Sequence, residues 1–205
     1  MQQLGGPETA VVDELCIKHG KFRVDLAVVG DRLEGFEIKS DPDSLRRLPD
    51  QAKHFSLVFH RMTLVVGPGH LAQALPLIPK WWGIMLATQT ADGADISPLR
   101  PALANPKPNY RWIVRLLWRA ELSDVLKSHG HGRGASKLRY YAVANRLLEV
   151  FTPEELTALV CRKLREREAW APGRATIGGG FTEDEDGWIE IGPPEDTAWG
   201  HDHPL

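Results

Sequence analysis

Two apolar-rich runs, Phe22–Val29 and Leu33–Ser40, flank the three residues Gly30-Asp31-Arg32, and this spacing restricts the fold more than any other feature of the chain. So short a connection joins antiparallel strands. Side chains of a strand alternate between faces, so the hairpin also sets which residues share a side. Pairing Val29 with Leu33 puts Ala27 opposite Gly35 and Asp25 opposite Glu37. Glu37 and Lys39 then share one face, while Phe36 and Ile38 point into the core. Two carboxylates opposite one another repel unless something neutralises them. A divalent cation is the simplest candidate. Mg2+, with Mn2+ able to substitute, takes one or two carboxylates and fills its shell with water and phosphate oxygen.

The flanking sequence supplies the rest of an α/β pattern. Val11, Val12, Leu15 and Cys16 fall at helical spacing and predict a helix over Pro7–Ile17. Ser44–Phe59 predicts a second helix, capped by Asp43, with Leu45, Leu48, Ala52, Phe55 and Phe59 as its buried stripe. Met62–Val66 and Gly83–Ala87 read as apolar strands, with a short helix over His70–Leu77 between them. Thr88–Asn109 has no periodicity and reads as a linker or surface loop. Helices follow at Arg111–Ser128 and Ser136–Phe151, separated by Gly130-His131-Gly132-Arg133-Gly134. Thr152-Pro153-Glu154-Glu155 is a capping box that starts a third, running to about Trp170. The expected organisation is an α/β core over 1–88, a linker over 89–110, a helical module over 111–170 and an acidic flexible tail over 171–205.

Charge follows the same partition. Residues 1–106 are near neutral, residues 107–170 carry 13 Lys/Arg against 7 Asp/Glu, and residues 171–205 carry one Arg against 8 acids. A basic segment of this kind is either a solvated helical face or a nucleic-acid surface. No apolar run reaches the ~20 residues of a membrane helix, and the N-terminus lacks the pattern of a secretory signal. Cys16 and Cys161 lie in apolar surroundings and read as reduced core thiols of a cytoplasmic protein. His54, His60 and His70 lack metal-ligand spacing and read as surface residues.

Asp25, an eleven-residue spacer and Glu37-Ile38-Lys39 resemble the Asp…Glu-X-Lys signature of the PD-(D/E)XK nuclease superfamily. Phe36-Glu37-Ile38-Lys39-Ser40-Asp41, Leu64-Val65-Val66-Gly67 and Ile78-Pro79-Lys80-Trp81-Trp82-Gly83-Ile84 look like an uncharacterised nuclease-like family of bacteria and phages. The resemblance implies a restriction-endonuclease-like mixed-sheet αβ sandwich with a C-terminal helical module. It also implies a Mg2+-dependent deoxyribonuclease in DNA processing, repair or defence. On that reading Asp25, Glu37 and the Ile38 carbonyl hold the metal, with Glu14 as an additional acidic ligand, and Lys39 activates the attacking water. Gln51, with Phe55 where relatives carry Tyr, would lie near DNA. The alternatives from the residues themselves are a surface Glu–Lys ion pair, a solvated Glu14 and a structural Gln51.

The 111–170 segment loosely resembles helix–loop–helix DNA-binding modules of the SAP type. Arg133, Lys137 and Arg139 fall at its loop and the following helix start, where backbone amides also favour phosphate. A helical cap that only packs on the core, through Trp112 and Trp118, is the alternative. The competing functional readings are an inactive nucleic-acid-binding protein and a subunit of a larger assembly. A homodimer, and a protein partner docked on the acidic tail through Trp188 and Trp199, complete the expected partners.

Overall fold

The computed structural model describes residues 9–17, 21–91 and 93–167, together with the backbone at 183–184 and 187–188. Six strands form one sheet in sequential order: β1 (Ala10–Ile17), β2 (Phe22–Val29), β3 (Leu33–Lys39), β4 (Arg61–Val66), β5 (Gly83–Thr90) and β6 (Gly93–Arg100). β3, β4 and β5 are parallel to one another, and the outer pairs β1/β2, β2/β3 and β5/β6 are antiparallel. The helices are α1 (Leu48–Val58), α2 (Leu71–Ala74), α3 (Tyr110–Val114), α4 (Arg119–Ser128), α5 (Tyr140–Val150) and α6 (Pro153–Arg165). Glu183–Asp184 and Gly187–Trp188 form a separate two-stranded ladder. The rest of the expected tail lies outside the described residues.

The mixed α/β class expected from the sequence is the class observed. Its first element differs, being a strand where a helix was predicted. Val12 and Leu15 are both fully buried although three residues apart. Strand alternation would put them on opposite faces. Glu14, between them, has φ of 53°, a left-handed conformation uncommon for a residue with a Cβ, and here the alternation shifts by one. The paired strand shifts with it, for Val24 and Ala27 are also both buried. The apparent helical spacing of the segment is the signature of this phase break.

Further differences follow the same logic of local sequence. The segment expected to be a linker holds the end of β5 and all of β6. β6 is a mostly exposed edge strand containing Pro98, so neither apolar alternation nor composition marks it. The chain after it is tied down by Asn105, whose side-chain amide donates to the Ser56 and Phe59 carbonyls at 2.7 and 2.8 Å. The predicted helix over 111–128 is broken at 115–118, where the Glu121 carboxylate accepts the Trp118 amide at 2.6 Å and starts α4. α6 begins at the expected capping box of Thr152 and Glu155 and ends at Arg165, short of the predicted end; 168–170 lie outside the described residues.

One apolar cluster joins the sheet to the helical segment. It contains Val12, Val24, Leu33, Leu64 and Ile84 from strands, Phe55 and Phe59 from α1 and its end, and Ile113, Leu122, Leu147 and Val160 from later helices. Leu33 and Gly35 face this layer, and a Cβ on Gly35 would meet the Met62 sulfur at 2.4 Å. The hairpin register is as derived from the sequence, but its faces are inverted. Glu37 is the residue directed into the main core. Phe36 lies on the opposite face in a small cluster with Val28 and Val65, and Ile38 is 48% exposed. Among the described residues no helical side chain joins that second cluster. His60, expected at the surface, is buried: its Nδ1 accepts the Leu33 amide, leaving Nε2–H to face Thr157 Oγ1 at 3.3 Å.

Candidate functional site

Asp25 marks the point at which β2 and β3 part. The recorded pairing stops at Leu26 with Phe36, and beyond it the Asp25 carboxylate accepts the Ile38 amide at 2.7 Å. β3 continues alongside β4, carrying Glu37 and Lys39 to the C-terminal ends of the parallel strands. Open α/β sheets place ligands at such ends.

Glu37 is 0% exposed. One of its oxygens, Oε1, receives both the Lys39 ammonium and the Gln51 side-chain amide, each at 2.5 Å. Gln51 projects from α1 and is itself buried. The remaining acceptors of the pair, Glu37 Oε2 and Gln51 Oε1, are buried without a partner. Burial pushes the Glu37 carboxyl up to about 7, and the Asp25 charge adds to this, against the opposing effect of Lys39 and Gln51. A carboxyl poised there holds or releases a proton near neutrality.

The structure therefore brings Asp25, Glu37, Lys39 and Gln51 together. Glu14 is on a strand, not on a helix as its expected role assumed. Its exposed carboxylate pairs with Arg23 at 3.3 Å. Among the described residues no group of three or more His, Cys, Asp or Glu side chains is arranged to hold a metal ion.

Beyond Lys39 lies a tie that sequence reading passed over. Asp41 Oδ1 accepts the Gly69 amide at 3.0 Å, and a Cβ on Gly67 would meet that same oxygen at 2.2 Å. His70 Nε2 donates to the Asp43 carbonyl at 2.7 Å, while its buried Nδ1 has no partner. Asp43 does not cap the following helix as expected. Its Oδ2 accepts the amide and hydroxyl of Ser40, and Ser44 caps the short turn before α1. The available signal was the pair of turn sequences Asp41-Pro42-Asp43 and Gly67-Pro68-Gly69.

The basic residues gather elsewhere, between α4 and α5. Gly130 and Gly134 have φ of 79° and 78°, which suits glycine and turns the chain sharply. Arg119 reaches the Ala135 and Leu138 carbonyls, and Arg146 the Arg133 carbonyl at 2.8 Å, so the loop backbone is held from inside. Arg133, Lys137 and Arg139 make no ion pair among the described residues. Arg139 stands at the N-cap of α5, which has no side-chain cap and no acid in its first turn.

Fold and charge together define a mixed α/β protein with a buried Glu–Lys–Gln cluster on its sheet and a basic loop among its helices. Within that class, the chain belongs to the Bacteriophage P4 protein cII family, which it matches over residues 2–170. It is 26% identical over 123 residues to Protein cII of Enterobacteria phage P4, a stretch covering 60% of this chain and 47% of that protein. The match thus spans about half the length of the curated relative. No solved structure matches the chain significantly.

This membership corrects the expected one. The chain is assigned to the phage P4 cII family and not to the PD-(D/E)XK nuclease superfamily, and with that assignment the expectation of a Mg2+-dependent deoxyribonuclease is withdrawn. The phage association of the expected family agrees with the name of the matched one. The misleading signal has a physical origin. A buried glutamate needs a cation close by, and on a strand the residue two positions on is the nearest that shares its face. Burial of Glu37 beside Lys39 is thus enough to account for the Glu37-Ile38-Lys39 pattern.

Proposed function

We propose that this chain is a nucleic-acid-binding protein that holds the phosphate backbone of DNA through the loop between α4 and α5. The carrying observation is that Arg133 and Lys137 in the loop and Arg139 at the uncapped start of α5 lack ion-pair partners among the described residues. They belong to a segment with an excess of six positive charges. The dipole of a helix start favours an anion there, and arginine or lysine contacts to phosphate fix position without reading sequence. Affinity should fall steeply with salt, because each phosphate neutralised releases counterions. The test is fluorescence anisotropy with a labelled duplex across a salt series. Arg133→Ala combined with Lys137→Ala should weaken binding for all sequences alike and reduce the log–log salt slope by about 2. Failure of the natural protein to bind at low salt would overturn the reading.

A second reading concerns the sheet cluster and rests on the two orphaned acceptors. Glu37 Oε2 and Gln51 Oε1 are hard oxygens without a donor, and the second oxygen of Asp25 is not used in the Ile38 bond. This donor set suits Mg2+ with a shell completed by water, while the Lys39 ammonium already supplies one positive charge. A bound cation would neutralise the Asp25–Glu37 repulsion. Thermal unfolding in Mg2+ and in chelator, at matched ionic strength, decides it. A Mg2+-dependent rise lost in Glu37→Gln supports the site, and identical curves for the natural protein remove it.

A further inference from the structure

The helices pack on one side of the six-stranded sheet, yet the sheet is apolar on both. Val28, Phe36 and Val65 form the small cluster on the far side, with Leu26, Met85 and Ala87 partly buried around them. Side chains in register across neighbouring strands share a side of the sheet. Register therefore extends the cluster outward: Val11 is opposite Val28, Ile38 lies beside Val65, and Ile96 is opposite Ala87. These three residues are 45%, 48% and 55% exposed. The apolar surface thus reaches every strand from β1 to β6, and among the described residues no helical side chain joins the cluster at its centre. The chain leaving β6 marks one margin. A Cβ on Gly83, which points to the same side as Met85, would meet the Ala102 amide at 2.8 Å and Thr63 Oγ1 at 3.0 Å. Exposed Ile38 lies towards the opposite end.

The charges around this face argue against a strongly charged occupant. Glu34 and Arg61, in the row of Val28, pair with each other at 3.5 Å, and Glu14 of β1 pairs with Arg23 of β2 at 3.3 Å. Asp13, opposite Leu26 on the edge strand β1, makes no ion pair among the described residues. So nearly neutral a surface offers no field to nucleic-acid phosphate or to the acid-rich residues 171–205. Two copies of it, in contrast, meet without general repulsion. Size points the same way. Six strands about 4.8 Å apart and four rows of side chains about 6.6 Å apart outline roughly 500 Å² on each copy, or about 1,000 Å² for a pair, the size at which specific interfaces begin. A contiguous apolar patch of this extent marks an interaction site.

We propose that this face is the interface between two copies of the chain, packed sheet on sheet about a two-fold axis. The same surface then serves both sides of the contact. Phe36, Ile38 and Val65 of each copy stand at its centre, where the side chains of facing sheets interdigitate across about 10 Å. Both helical layers, with their basic loops, stay on the outside, so the interface is independent of the nucleic-acid reading.

Sedimentation velocity of the full chain over a concentration series, with melting temperatures taken at the same concentrations, tests the interface. The natural protein should sediment at twice the 22.9 kDa mass of one chain and melt higher as concentration rises. Ile38→Lys puts a charge at the centre of the interface on a side chain that is half exposed in the single chain. It should fold, and its dimer Kd should rise about tenfold or more. Ile96→Lys, on the edge strand, should weaken the dimer to a smaller extent. Leu75→Lys changes an exposed apolar residue in the connection after α2, whose neighbours Leu71 and Leu77 pack on the main core, and it should leave the Kd unchanged. If Ile38→Lys does not fold, the comparison of Ile96→Lys with Leu75→Lys decides. A natural protein that stays monomeric at every concentration overturns the proposal and leaves the face to another occupant. A dimer that responds equally to the face variants and to Leu75→Lys overturns it too, because that dimer uses a different surface.

Discussion

Gln51 Nε2 and Glu37 Oε1 stand 2.5 Å apart where α1 crosses β3, and the remaining acceptors, Glu37 Oε2 and Gln51 Oε1, are buried without a partner. Two orphaned acceptors in one place cannot bond to each other unless one gains a proton. A neutral Glu37 has a hydroxyl that can donate. Its carboxyl, lifted by burial to about 7, carries that proton over much of the acid range.

The pH dependence of stability follows with a definite sign. Glu37 titrates near 4.5 when unfolded and near 7 when folded, so its contribution is complete below about 4.5 and is lost as pH rises through 7. Buried His60 runs the other way, from 6.5 to about 4, so its contribution is complete above 6.5 and is lost as pH falls. Each shift corresponds to about 3 kcal/mol, and the two oppose one another between pH 4.5 and 6.5. Glu37→Gln should therefore unmask the histidine, giving stability that climbs with pH across this window. His60→Gln should give stability that falls. Urea unfolding at four or five pH values checks both, and parallel profiles for Glu37→Gln and the natural protein would exclude Glu37 as a titrating group.

Asp25 acts on the cluster through charge and on the hairpin through a hydrogen bond, and two substitutions separate these roles. Asp25→Asn keeps an oxygen for the Ile38 amide and removes the charge that raises the Glu37 pKa. The Glu37 midpoint should move to lower pH, and stability in chelator should rise. Asp25→Ala removes the acceptor too and should cost about 1 kcal/mol relative to Asp25→Asn. Carboxyl titration by NMR follows the first effect and denaturant midpoints the second. An unmoved Glu37 midpoint in Asp25→Asn would disprove the coupling.

The hairpin was the most legible part of the chain, because a three-residue loop leaves one register and the structure has it, with Ala27 opposite Gly35 and Val29 opposite Leu33. Its inside and outside were not legible. Phe36 and Ile38 are more apolar than Glu37, so a rule of apolar burial chooses the wrong face, and only the position of α1 with Gln51 reverses it. β1 was hidden by the phase break at Glu14, and β6 by Pro98 and its exposure. Arg115 lay unremarked inside a helical pattern. Its burial against the Tyr141 ring joins residues distant in sequence.

Gly67 is the clearest case of a residue required by a close approach. Any Cβ there would stand 2.2 Å from Asp41 Oδ1 and 3.1 Å from the Asp41 amide. Gly67→Ala must therefore displace the Asp41 side chain and break its bond to the Gly69 amide, a loss of about 1–3 kcal/mol. Shortening the partner relieves the clash. Asp41→Ala has its own cost, but adding Gly67→Ala to it should cost much less than Gly67→Ala alone. A double-mutant cycle measured by denaturant unfolding reports that coupling. Additive effects would show that the two loops at the ends of β3 and β4 are not held together by this contact.

The acidic end of the chain bears on nucleic-acid binding through charge alone. Residues 171–205 carry one Arg against 8 acids, while residues 107–170 carry 13 Lys/Arg against 7 acids. A tethered polyanion competes with phosphate for a basic surface at high effective concentration. The competition is screened over about 8–10 Å near physiological ionic strength. A chain ending at Trp170 should accordingly bind a DNA duplex more tightly than the full chain at low salt. The difference should shrink as salt rises, because added ions weaken the intramolecular attraction along with the intermolecular one. Anisotropy titrations of both chains over the same salt series compare them directly. Equal affinities throughout would mean that the acidic residues do not compete for the basic loop, and would leave a protein partner as the role for that segment.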